Sequence, residues 1–171
     1  MIFHPNIIDF FKKHNMYDEK MFQYLQNNTT MLDYNYEDER IFIGCFQLVN
    51  KKNIITGVHL NIPYVQDEKT ALINIHELTH GIEFYKKIGK PYKPDITVET
   101  LPLLYERLYI MENPSIELEN YGKYLDNLIL KESKEEYLFG LNIRDILIEE
   151  YNYNMDSMTK KIKKLAKNYH K

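Results

Sequence analysis

The sequence predicts an α+β domain that is mainly α, with a small antiparallel hairpin or sheet just before its longest helix. Two neighbouring segments, 41–49 and 54–62, are rich in β-branched and aromatic residues, as strands are. From Asp67 onward, apolar residues recur at helical spacing to the end of the chain. A length of 171 residues is typical of one domain, so we expect residues 1–171 to form a single domain.

The composition is that of an ordinary globular protein. A hydrophobic fraction of 44% and a charged fraction of 27% argue against a disordered or fibrous chain, and a net charge of −3 does not indicate nucleic-acid binding. Cys45 is the single cysteine, which excludes an intramolecular disulfide and a Cys-rich zinc module. No segment approaches the ~18 apolar residues that a membrane-spanning helix needs. We therefore expect a cytoplasmic protein without a membrane span.

The first third of the chain predicts two short helices and then a hairpin. One helix follows Pro5, and the next begins after Asp18, a residue type suited to capping a helix N-terminus. The acidic, tyrosine-rich stretch 33–40 predicts a loop. The sequence NKKN then separates the two strand-like segments, which is typical of a β-hairpin.

The remainder of the chain predicts five helices. Asp67 can cap the first, which we expect to continue to about Ile88 and to end at Gly89. The second is expected from Asp95 to about Met111, with Pro102 kinking it or marking its true start. Three more are predicted over 115–131, 134–150 and 156–170.

The last predicted helix is strongly basic. Residues 157–171 contain six lysines and no acidic residue. Its apolar residues recur at spacings of 4, 3 and 4, which predicts one apolar stripe: Met158, Ile162, Leu165 and Tyr169. We expect a terminal helix docked on an acidic body. A membrane-surface or nucleic-acid role is the alternative.

The segment with the clearest chemistry is His76-Glu77-Leu78-Thr79-His80. On a helix, positions four apart lie on one face, so two imidazoles here can reach the same small cation. Zinc accepts neutral histidine nitrogens in a tetrahedral site. Glu77 flanks such a metal and is placed to take a proton from water. The segment therefore predicts two metal ligands and a general base on one helical turn.

A catalytic zinc requires a third protein ligand. Four downstream carboxylates are candidates: Glu83, Glu99, Glu106 and Glu112. Glu99 is favoured, because a helix pair joined by a Gly/Pro loop brings it back to the histidines over 18 intervening residues. Glu83 points away from a site built by His76 and His80. Glu106 is two turns beyond Glu99, which favours it as a hydrogen-bond partner of a ligand histidine, with direct ligation as the alternative.

These motifs resemble the gluzincin metallopeptidases, and within them the thimet oligopeptidase and oligoendopeptidase family. The resemblance covers about residues 40–150. It is carried by His-Glu-x-x-His, by the distal Glu99, and by the segment 97–106 with its second glutamate seven residues later. The hairpin-then-helix order of residues 44–85 is also similar, whereas the loop between the helices is shorter than in the family. The resemblance implies a zincin-like fold holding one zinc ion.

The resemblance also implies how a peptide would be bound. Substrate would lie extended against an edge strand, which segment 54–62 would supply. A tyrosine near a glycine would bind the developing oxyanion, and Tyr137, before Gly140, matches that position. The family's histidine upstream of this tyrosine has no counterpart here. Four other tyrosines remain alternatives: Tyr121, Tyr124, Tyr151 and Tyr153.

Family members are several times longer, with a second half that walls the substrate channel. For this chain we therefore expect an open cleft, or a homodimer or partner protein that supplies the other wall. The expected activity is zinc-dependent hydrolysis of peptide bonds in a peptide or protein substrate. The alternative is a non-catalytic zincin-fold binding protein whose zinc is structural.

Overall fold

The computed structural model describes residues 2–33 and 42–169 and confirms a mainly α, α+β fold. The chain divides into two compact units, one ending at Lys93 and one beginning at Pro94. The first unit contains α1 (Pro5–Lys13), α2 (Glu19–Asn27), β1 (Thr29–Leu32), β2 (Gly44–Val49), β3 (Ile55–Pro63) and α3 (Glu68–Tyr85). The second contains α4 (Thr100–Glu112), α5 (Ile116–Glu132), α6 (Glu135–Glu149) and α7 (Met155–Tyr169).

The sheet of the first unit has the strand order β1–β3–β2. Strands β2 and β3 pair antiparallel from Gly44↔Asn61 to Val49↔Ile55, which confirms the predicted hairpin. Strand β1 pairs in parallel with the other side of β3, and it was not predicted from the sequence. The predicted loop over 33–40 lies, apart from Asp33, outside the described residues.

Strand β3 is therefore central, and the expectation that segment 54–62 is an edge strand is wrong. Strand β1 pairs only with the last four residues of β3, and N–H groups earlier in β3 donate to residues outside the sheet. The Val58 N–H donates to the Tyr24 hydroxyl at 3.2 Å, and the Ile55 N–H donates to the Lys90 carbonyl at 3.0 Å. Because these bonds use the backbone that an added strand would need, an extended peptide cannot pair there. Among the described strands, β1 and β2 are the outer ones.

Helix α3 begins as the sequence predicts. The Thr70 N–H donates to Asp67 Oδ1 at 2.8 Å, and the Thr70 hydroxyl contacts the Asp67 backbone in return, forming a capping box. The helix ends at Tyr85, a little earlier than expected, and the chain turns through Gly89 at φ +83°. That left-handed conformation favours glycine. The Gly89 N–H then donates to the Ile55 carbonyl at 2.8 Å, which ties the turn to β3.

The back of α3 packs on the sheet at close range. A Cβ added to Gly81 would lie 3.4 Å from the Leu25 and Leu60 methyl groups. The first unit's core is formed by fully buried apolar residues of the sheet and helices: Phe11, Phe22, Leu25, Val58, Leu60, Ile62, Leu72, Ile75, Leu78 and Ile82. This packing makes α3 a rigid support for the side chains on its other face.

In the second unit, α4 begins at Thr100 and not at Asp95. The Asp95 carboxylate accepts hydrogen bonds from the Thr97 N–H at 3.0 Å and its hydroxyl at 2.6 Å, which stabilises a local turn in place of a helix start. Pro102 falls in the first turn of α4, where its missing N–H is tolerated. Glu99 therefore precedes the helix and does not lie on it, contrary to expectation.

The other helices of this unit lie close to their predicted positions. Ser115 caps α5 by accepting from the Leu118 N–H at 3.1 Å. Helix α7 buries Met158 and Ile162, and the Tyr169 ring meets Phe139 of α6 edge-on at 4.9 Å. Two residues of the predicted apolar stripe are thus buried, Leu165 is half-buried and Tyr169 remains 40% exposed. None of the helices in the described ranges has the length and apolar character that crossing a bilayer requires.

Candidate metal centre

Helix α3 brings His76 and His80 together as the motif predicts. Their Nε2 atoms lie 3.1 Å apart, and their rings are 4.8 Å apart at an interplanar angle of 69°. Both side chains are buried, with exposed fractions of 9% and 6%. The pair follows from helical geometry, because residues four apart stand one turn above each other on the same face.

The imidazoles are held by their surroundings on the same helix. The Phe84 ring stacks on His80 with centroids 5.4 Å apart. The Thr79 hydroxyl donates to the Ile75 carbonyl at 2.7 Å, which satisfies a buried polar group without engaging either histidine. Since the buried back of α3 fixes the helix, the backbone positions of the two histidines are held one turn apart.

Glu99 completes a group with the two histidines. One ligand atom from each of His76, His80 and Glu99 lies within 4.8 Å of the other two, and all three residues are buried. The predicted third ligand is therefore gathered with the pair, even though it stands before α4. Its backbone is fixed by close packing, because a Cβ added to Gly140 of α6 would lie 3.3 Å from the Glu99 carbonyl.

The donor set fits a divalent metal ion. Two ligand nitrogens at ~2.0–2.1 Å from a tetrahedral zinc stand about 3.3 Å apart, close to the 3.1 Å between the two Nε2 atoms. Two imidazole nitrogens and one carboxylate oxygen are also the ligands of many catalytic zinc sites. Buried His76, His80 and Glu99 can therefore hold a metal ion.

Glu77 occupies a different environment from the flanking histidines. It is half-buried on α3, and its charge acts on Cys45 of β2. Burial raises the pKa of the Cys45 thiol in β2, and the negative charge of Glu77 raises it further. Within residues 2–33 and 42–169, no hydrogen bond or ion pair engages the Glu77 carboxylate.

Glu106 and Tyr137 both belong to the second unit. Glu106 is half-buried on α4 and lines a cavity of about 170 Å³ with residues of α5 and α6. Tyr137 is half-buried in the first turn of α6, with the Lys134 ammonium 6.0 Å from its ring centre. The roles predicted for these two side chains stay predictions.

The alternative tyrosines differ in environment. Tyr121 and Tyr124 stack on each other on α5 at 6.2 Å. Tyr151 is half-buried, its hydroxyl lies 3.5 Å from that of Tyr105, and burial raises its pKa to about 12. The Tyr153 ring lies 5.0 Å from that of Tyr151, at an interplanar angle of 55°. A raised pKa keeps the Tyr151 hydroxyl protonated, as a hydrogen-bond donor requires.

Two residues that support the site were not predicted from the sequence. Asn74 is fully buried two positions before His76, where its amide bonds to the end of β3. Gly140 admits the backbone of Glu99 against α6. An asparagine inside an apolar helical run signals a buried polar contact, whereas the partner of a helical glycine cannot be read from the sequence.

Comparison with protein-family models, with curated proteins and with solved structures found no match.

Proposed function

We propose that the protein is a zinc-dependent metallopeptidase that hydrolyses peptide bonds with Glu77 as general base. The observation that carries the proposal is the grouping of buried His76, His80 and Glu99 with a carboxylate next to the first histidine. Two histidines and a glutamate leave the fourth position of a tetrahedral metal open for water. The sequence resemblance to gluzincins supports the same chemistry.

The proposed ligands are His76, His80 and Glu99. Their nitrogen and oxygen donors suit zinc better than calcium or magnesium, which prefer oxygen ligands alone. When bound, zinc acts as a Lewis acid that polarises a carbonyl and makes water more acidic. Glu106 is proposed to accept a hydrogen bond from the second nitrogen of a ligand histidine and so to fix its orientation.

Residues of the chain itself would then carry out the proton transfers. Glu77 accepts a proton from the water that attacks the peptide carbon, so a new C–O bond forms as that O–H bond breaks. The same carboxylic acid donates the proton to the amide nitrogen as the C–N bond breaks. Tyr137 donates a hydrogen bond to the carbonyl oxygen as it gains negative charge, with Tyr151 as the alternative donor.

Substrate binding is proposed at β2 and no longer at β3. Strand β2 is an outer one among the described strands, and the charge of Glu77 acts on its Cys45. An extended peptide pairing with β2 would pass the proposed base, as in β-strand addition. A second copy of the chain or a partner protein remains our proposal for the other wall of the cleft.

A structural zinc in a non-catalytic protein is the competing proposal. A structural site needs no base, so the half-buried Glu77 carboxylate, which bonds to no residue in the described part of the chain, favours hydrolysis. The test is a peptide-library cleavage assay on zinc-loaded wild type and Glu77→Gln, with zinc content measured in both. We expect equal zinc content and a ~10²–10⁴-fold lower cleavage rate in the variant, since general-base catalysis is worth that much.

The matched control is Glu83→Gln, a change of the same kind at a carboxylate on the same helix that we do not place in the site. It should keep both zinc and cleavage. Cleavage by Glu77→Gln at the wild-type rate would contradict the assignment of the base. Zinc without any cleavage by wild type would favour the structural alternative.

A further inference from the structure

The amide of Asn74 links α3 directly to the sheet. Its Nδ2 donates to the Pro63 carbonyl at the end of β3, at 3.0 Å, and to the Thr70 carbonyl one turn earlier in α3, at 2.9 Å. The side chain is only 1% exposed. One amide group therefore bridges the helix and the strand on which it packs.

The unused half of this amide shows which contact matters. Asn74 Oδ1 is buried and accepts no hydrogen bond from the described residues. A buried carbonyl oxygen without a donor is unfavourable, and an apolar side chain would avoid it. The two N–H bonds are thus what this buried asparagine contributes.

The position of the bridge relates it to Glu77. Asn74 lies three residues before Glu77 on α3, and Pro63 ends the strand that pairs in fixed register with β2. Apolar packing alone is non-directional and allows a helix to slide or rotate slightly on a sheet. A hydrogen bond across the two elements removes that freedom, because it has a preferred length and direction.

We propose that Asn74 is a positioning residue whose amide fixes α3 against the end of β3 and thereby sets where Glu77 stands beside β2. Its effect on catalysis rests on the proposed function. Its effect on the placement of Glu77 does not, and can be measured in the metal-free protein without any peptide.

Cys45 of β2 is the reporter for this placement. It is the chain's single cysteine, so alkylation by a neutral reagent is specific to it. The alkylation rate at a fixed pH follows the thiolate fraction, which the charge of Glu77 lowers. Glu77→Gln should therefore raise the rate, and the ratio of the variant's rate to the wild-type rate, called the factor below, measures how strongly the charge of Glu77 acts on β2.

The test is a double-mutant cycle. The factor caused by Glu77→Gln is measured in wild type, in Asn74→Leu and in Asn74→Ser. Leucine has a similar branched shape but carries no hydrogen-bond donor. Serine can still bond within the helix to the Thr70 carbonyl while being too short to reach Pro63, and it keeps the test valid if the leucine variant does not fold.

Thr79→Val is the matched control, because it removes a buried hydrogen bond that lies within α3 alone. We expect the factor to be retained in Thr79→Val and to fall towards one in both Asn74 variants. General loosening would let Cys45 react from an opened state and would lower the factor in Thr79→Val as well, so a factor retained in that control separates the bridge from destabilisation alone. An unchanged factor in the Asn74 variants, or no effect of Glu77→Gln in wild type, would overturn the proposal.

Discussion

Helices α3 and α5 have nearly the same length, 18 and 17 residues, but α3 buries twelve of its residues and α5 buries one. Five of the twelve are polar: Thr70, Asn74, His76, Thr79 and His80. A buried polar group destabilises a fold unless it is bonded, so each requires a partner or a task. On α5, the polar residues are exposed or half-buried, so this penalty is smaller there.

The buried polar residues of α3 are of two kinds, those that stabilise the fold and those that can bind a ligand. Thr70 closes the capping box, Asn74 bridges to β3, and Thr79 bonds within the helix. The two histidines are different, because their Nε2 atoms face each other in an arrangement that suits a shared ligand. Helix α5 instead depends on ion pairs, such as Asp126 with Arg144 of α6 at 2.7 Å.

The largest expected effect on stability is at the back of α3. Ile75 is fully buried, so Ile75→Ala should leave a cavity and lower the free energy of unfolding by about 2–5 kcal/mol. Urea unfolding followed by circular dichroism measures this change. A loss below about 1 kcal/mol would show that α3 is not the tightly packed support described here.

A smaller effect on stability is expected at Gly140, which packs against the backbone of the proposed metal ligand Glu99. In Gly140→Ala, the new Cβ would lie 2.9 Å from Leu103 Cδ1 and 3.3 Å from the Glu99 carbonyl. Because backbone cannot swing aside, we expect overpacking of about 1–3 kcal/mol together with weaker zinc binding. Chelator competition measures the zinc affinity, and urea unfolding measures the stability.

Gly122→Ala on α5 is the control for that change. Its Cβ would meet only Ile110 Cδ1, at 2.8 Å, which is the flexible tip of a side chain. Removing a helical glycine also favours the helix by up to about 1 kcal/mol. Zinc affinity should therefore be unchanged in this variant. Equal losses of affinity in the two glycine variants would argue against the Gly140 contact as the cause.

The smallest effect is expected on the exposed side of α5. Leu128 is 37% exposed, and Leu128→Ser should change the free energy of unfolding by no more than about 0.5 kcal/mol. The same urea titration tests this. A loss above about 2 kcal/mol would mean that α5 is packed far more tightly than its exposure indicates.

The sequence predicted the local features of this fold and missed those that depend on distant partners. The hairpin, the Asp67 cap and the histidine pair follow from short-range spacing, and the structure confirms them. Strand β1 has only four residues, and it pairs with residues of β3 that are 31 positions away in the sequence. Without β1, the strand order and the edge of the sheet could not be predicted.

The site shows the same division. Spacing alone identified His76, His80 and Glu99, which the structure gathers. The start of α4 was misplaced, because Asp95 can cap a helix or stabilise a turn, and its bonds to Thr97 decide for the turn. The hydrogen bond of Asn74 could not be predicted from the sequence, because its acceptor, the Pro63 carbonyl, belongs to another element.

The most direct test of the account is X-ray absorption at the zinc edge on the zinc-loaded protein. We expect one zinc ion per chain with two imidazole nitrogens at ~2.0–2.1 Å, a carboxylate oxygen and a further light ligand, and no sulfur. Glu99→Gln should weaken that binding, whereas Glu77→Gln should leave the spectrum unchanged. A sulfur ligand from Cys45, or the absence of stoichiometric zinc, would contradict the proposed centre.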